Sequence, residues 1–148
     1  MRLGKKTVLV CDCEGTMPLD GSRLSRACGL DEDTEVHTQL CRRELDRLVG
    51  AAGTAGEELV VACTQEGVTF AEALAEAGIE AEPGLVNIRE RAGWSEGARD
   101  ALPKVSALLQ DMQAGTGDSR IQLVCPVSNL PLIVRTPNEL HRKLAQFV

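Results

Sequence analysis

The feature that most constrains this chain is the regular alternation of short apolar runs with longer stretches of helical spacing. Thr7–Cys11 (TVLVC), Glu35–Leu40 (EVHTQL), Glu58–Cys63 (ELVVAC), Leu85–Arg89 (LVNIR), Ile121–Cys125 and Leu130–Val134 read as strands. Between them Ser22–Cys28, Arg42–Val49, Val68–Ala77 and Ala98–Met112 carry apolar residues at helical intervals, with Gly29 and Gly78 as stop signals. Pro103 marks a kink or a late start in the last of these, and Thr136-Pro137-Asn138-Glu139 opens a C-terminal helix with a cap, a first-turn proline and a capping-box glutamate. Strand–helix alternation at this length predicts an α/β fold, a single domain over residues 1–148 with three layers and a mainly parallel sheet.

Composition narrows the function. Apolar residues make up 43% of the 148, enough for one packed core, and aromatics only 2%, so Val, Leu, Ile and Ala must fill it. The net charge is −6 and no Lys/Arg stripe is present, which argues against nucleic acid as a partner. The apolar run before Cys11 is too short for a secretion signal and no segment approaches a membrane span, so a cytoplasmic protein is expected.

In a reducing cytoplasm the six cysteines call for a metal or redox role rather than a disulfide scaffold. Their positions are informative. Cys11 closes the first strand, Cys13 sits in the turn beyond it, Cys41 follows the second strand and Cys63 closes the third. Parallel strands share a carboxyl edge, where ligands of open α/β folds bind, so four thiols from three segments are expected at one rim. That set suits an iron–sulfur cluster, or a structural zinc. Cys41 is expected at a helix start, with the helix dipole, Arg42 and Arg43 favouring its thiolate. Cys28 reads as a core residue, Cys125 as a strand end with no partner, His37 as a strand residue and His141 as a surface helix residue.

The fragments VLVCDCEGTM (8–17), QLC (39–41), VVACTQE (60–66) and VNIRERAGW (86–94), in that order, resemble the N-terminal domain of the heterodisulfide reductase A subunit and related bacterial 4Fe–4S ferredoxin-like proteins. The resemblance covers residues 5–112; residues 113–148 are an unassigned extension of strands and a helix. It implies a 4Fe–4S cluster held by Cys11, Cys13, Cys41 and Cys63, and an electron-transfer module rather than a stand-alone enzyme. A redox protein, or further domains of flavin or ferredoxin type, would be its partner. Arg89, in Asn87-Ile88-Arg89-Glu90, would hydrogen-bond a cluster sulfur or pair with Glu90, and Trp94 would shield the site or simply pack.

Two other readings stand beside it. Asp12-Cys13-Glu14-Gly15-Thr16 is similar to the first motif of haloacid-dehalogenase-type phosphatases, with Asp12 as nucleophile, Glu14 as acid/base, Thr64 on phosphate and Lys104 as cation. The late acidic pair of that family has no match here, because Asp118 precedes its strand. A thiol-redox protein acting through Cys11 and Cys13 would need no metal.

Overall fold

The computed structural model describes residues 1–55, 58–63, 66–93 and 97–113, and the backbone of 121–124 and 131–134. The chain divides into two compact units, Met1–Thr116 and Gly117–Val148. The first holds strands β1 (Arg2–Leu3), β2 (Lys6–Cys11), β3 (Val36–His37), β4 (Leu59–Cys63) and β5 (Gly84–Asn87) and helices α1 (Gly21–Ala27), α2 (Leu45–Ala55), α3 (Gly67–Glu76) and α4 (Leu102–Gln113). The second contributes an antiparallel pair, β6 (Ile121–Val124) and β7 (Pro131–Val134), with Ile121 opposite Val134. Cys125 and the expected C-terminal helix lie outside the described residues.

In the first unit β2, β3, β4 and β5 run parallel, and β1 adds an antiparallel edge. β4 occupies the whole of one side of β2, from Thr7 to Val10, so β1 and β3 share the other side end to end. Side chains alternate across a strand, and the core splits accordingly. Val8, Val10, Val60, Ala62, Val86 and Ile88 pack with Leu24, Val105 and Leu109 on the α1/α4 face. Cys11, Leu59, Val61 and Cys63 pack with Leu48, Ala52, Phe70 and Leu74 on the α2/α3 face. The sheet is therefore the middle of three layers, and β4 is buried along its whole length, as a strand covered on both faces must be.

The helix ends follow from local chemistry. Asp20 caps α1 by accepting from Arg23 N–H. Gly29 and Gly78 close α1 and α3 in left-handed conformations, with paired bonds from Leu30 to Ser25 and Gly29 to Arg26, and from Ile79 to Leu74 and Gly78 to Ala75. Asp20→Ala should lower stability by about 1 kcal/mol in urea unfolding, since one first-turn N–H loses its acceptor.

Some expected boundaries move. The run Glu35–Leu40 shrinks to Val36–His37, because the Glu44 carboxylate takes the N–H groups of Thr38 and Gln39 at 2.9 and 2.6 Å and bends the chain off the strand. The helix expected from Arg42 begins at Leu45, since Arg42 and Glu44 donate instead to the Gln39 carbonyl in a turn, and it runs on to Ala55. Pro103 accompanies a late start, α4 opening at Leu102 after a 3₁₀ turn at Ala98–Asp100. β1 had no signal in its two residues. It forms because Gly4, at φ 60°, folds Leu3 back onto the sheet, where it is buried. Among the described residues no helix is long and apolar enough to cross a membrane.

Charge is unevenly placed. Residues 48–88, which hold most of α2 and all of β4, α3 and β5, contain seven glutamates and no Lys, Arg or His. Val68 on α3 and Leu85 on β5 are the exposed large apolar side chains of the described residues.

Candidate functional site

The carboxyl ends of the four parallel strands define one rim, and Cys11 and Cys63 stand at it as the last residues of β2 and β4. Val10 is the register partner of Ala62, so the next step along both strands sets Cys11 beside Cys63. Both side chains belong to the α2/α3 core, at 1% and 3% exposure. The Cys63 thiol hydrogen-bonds Cys11, and the N–H groups of Leu40 and Cys13 also point at the Cys11 sulfur. These bonds hold the Cys11 thiol down to about 7, led by the Cys63 contact, against burial and the charge of Asp12, which push it up.

Beyond Cys11 the chain makes a left-handed turn. Cys13, Glu14 and Gly15 have φ of 55°, 58° and 71°. Two successive non-glycine residues there cost roughly 1–2 kcal/mol each. The turn is held in place by its hydrogen bonds. Asp12 N–H donates to the His37 carbonyl and Glu14 N–H to the Thr38 carbonyl, both at 2.8 Å. Asp12 Oδ1 accepts from Gly15 N–H at 2.9 Å, and Thr16 Oγ1 donates to the Cys13 carbonyl at 2.7 Å. Backbone strain of this kind collects at functional sites.

Cys41 lies in the Gln39–Glu44 turn, four residues before the first residue of α2, and so lacks the helix-start position expected for it. Its thiol is pushed up rather than down, by burial first and then by the negative charges of Glu66, Cys11 and Cys13. Arg42 pairs with Glu14 at 3.0 Å, with side chains 72% and 51% exposed, and Gln39 Nε2 donates to the same carboxylate oxygen at 3.2 Å. Beneath this pair, buried His37 sets Nδ1 3.6 Å from Glu44 Oε1. The Gln39 and Thr38 N–H groups hold the Glu44 carboxyl below the ordinary value of 4.5, burial opposing and His37 assisting. A depressed carboxyl contributes stability above the unfolded value and loses it as pH falls through the lower folded value. Glu44→Gln should therefore reduce the urea midpoint at pH 7, and the two proteins should converge well below pH 4.5.

These elements enclose one pocket of about 290 Å³, lined by Cys11, Cys13, Cys41 and Cys63 with Glu14, Gln39, Arg42 and Glu66 among its walls. All four cysteines singled out in the sequence thus face one volume. Among the described residues no three or more His, Cys, Asp or Glu side chains stand close enough to share a single metal ion. Cys28 packs instead with the α1/α4 core, its thiol raised by burial. His37 is a buried strand residue, as expected. Arg89 pairs with Glu90 at 3.2 Å and donates to Thr16 Oγ1 at 3.3 Å, so it braces the left-handed turn from the π-helical turn Arg89–Gly93. Asp12 is committed to capping its own turn, and Lys104 is exposed on α4. Thr64, Trp94, Asp118, Cys125 and His141 lie outside the described residues.

Sequence reasoning missed Glu44 and Glu66. Glu44 gave no signal beyond an ordinary glutamate near a helix start, and its work is done through backbone groups five and six residues away. Glu66 follows Cys63 by three residues and had only that proximity to mark it. Compared with protein families, curated proteins and solved structures, the chain matches none.

Proposed function

We propose that this chain is a one-electron transfer domain that holds a 4Fe–4S cluster through Cys11, Cys13, Cys41 and Cys63. The observation that carries this reading is the single pocket lined by all four thiols, drawn from three separated segments of chain. The donor set fits the group. Four thiols lining one pocket match the ligand count of a 4Fe–4S cluster, as they do that of a structural zinc.

Bound there, the cluster would supply reversible one-electron chemistry. The protein would supply the environment. The Leu40 and Cys13 N–H groups at the Cys11 sulfur stabilise negative charge and raise a potential, while Glu66 in the wall lowers it. Glu14 contributes less, because Arg42 neutralises it in contact with solvent. Electrons would come from and go to a redox protein or to domains of flavin or ferredoxin type.

Anaerobic purification followed by iron and acid-labile sulfide analysis tests this, with an EPR spectrum after dithionite reduction. Iron and sulfide in equal amounts with a reduced-state signal is the expected result. One equivalent of zinc, or a metal-free chain that hydrolyses phosphate esters with Mg²⁺, would overturn it.

A further inference from the structure

The sequence offers Cys11 and Cys13 as a thiol pair, but the fold separates their surroundings. Cys11 packs with the α2/α3 core and Cys13 against the α1/α4 core. Cys63, more than fifty residues away, is the neighbour that the strand register gives Cys11, on the same sheet face and in hydrogen-bond contact. Adjacent strands lie about 4.8 Å apart, inside the Cα separation of roughly 4.4–6.8 Å that a disulfide spans. Both residues end their strands, where one more bond need not distort a continuing ladder. Both also line the pocket, which gives a small oxidant its route to otherwise covered sulfurs.

We propose that, with no metal bound, Cys11 and Cys63 act as a reversible two-electron dithiol/disulfide couple, oxidised by hydroperoxides and reduced by small dithiols. Both sulfurs line the pocket, and either can open the reaction. With Cys11 first, its thiolate attacks the terminal peroxide oxygen and the O–O bond breaks. With hydrogen peroxide, hydroxide leaves and is protonated to water, and Cys11 becomes a sulfenic acid. The Cys63 sulfur then displaces the sulfenic oxygen, the S–S bond forms and a second water carries off the Cys63 proton. Two thiols and one peroxide give one disulfide and two waters. A dithiol reverses the change by exchange. The couple shares its sulfurs with the proposed cluster, so it rests on that reading only in its regulatory consequence: the disulfide would remove two ligands at once and block loading.

The test uses the full chain, stripped with a chelator, treated with a small excess of hydrogen peroxide, alkylated and digested for mass spectrometry. Titratable thiols should fall by two from the six in the sequence, recover with dithiothreitol, and map to a cross-link between Cys11 and Cys63. Cys13→Ser should keep the cross-link, and fragment spectra of the unaltered chain assign the bridge independently of that variant. A bridge from Cys11 to Cys13 or Cys41, or overoxidation with no bridge, overturns the couple. Iron analysis of the untreated protein separates the two readings. A chain that holds a cluster but forms no bridge sinks only the couple, and one that bridges but never carries iron sinks only the cluster.

Discussion

Cys11→Ser should lower iron and acid-labile sulfide per chain by roughly tenfold or more in anaerobic preparations, with the urea midpoint far less affected. The argument is positional. Cys11 is the sulfur that receives Leu40 N–H, Cys13 N–H and the Cys63 thiol, so it is the one already arranged to hold negative charge. A hydroxyl is nearly the same size but a poor ligand for iron, and it leaves those donors a weaker site. Cys28→Ser is the control. It changes a half-buried thiol that packs with the α1/α4 core and should leave metal content unchanged. Asp12→Asn should also load normally, since an amide oxygen can still accept from Gly15 N–H.

The largest loss of stability is expected from Phe70→Ala, about 3–5 kcal/mol in equilibrium unfolding. Phe70 is fully buried on α3 and is among the largest side chains of the core that also contains Cys11, Cys63, Leu48 and Leu74. The chain has few aromatic rings, and no neighbouring side chain is large enough to refill that volume. Because two pocket thiols share this core, the same change should increase alkylation of Cys11 and Cys63 in native protein. Thiol reactivity that stays at the original level in Phe70→Ala would show that the pocket is held by its hydrogen bonds alone.

How much of this was readable beforehand depended on where the information resides. Cys11 and Cys63 were legible because β2 and β4 each end in an apolar run that stops at a cysteine, and parallel strands fix which end faces the rim. Gly29 and Gly78 were legible as stops because left-handed closure needs a residue without a Cβ. Cys41 reached the site by a different route from the one its sequence suggests. Glu44 claims the N–H groups of Thr38 and Gln39, which shortens β3, delays α2 and leaves Cys41 in a turn with a raised rather than a lowered thiol. No local pattern records that competition, because it depends on a side chain meeting backbone several residues away. The left-handed backbone at Cys13 and Glu14 was equally hidden. Neither residue type favours it, and it is imposed by the His37 and Thr38 carbonyls and by Arg89, 73 residues from Thr16.

The stretch from 48 to 88, with its seven glutamates and no cation, makes the first unit, Met1–Thr116, electrically lopsided. The rest of that unit sums to −1, the difference between −8 and −7, so almost all its excess charge rides on the segment bearing α3 and β5. A body of that kind carries a permanent moment and turns in the field of a cationic surface before contact. Collisions with a basic protein would be biased toward the α3 and β5 side, where Glu66 meets the pocket, and added salt would erase that bias over a Debye length of about 8–10 Å.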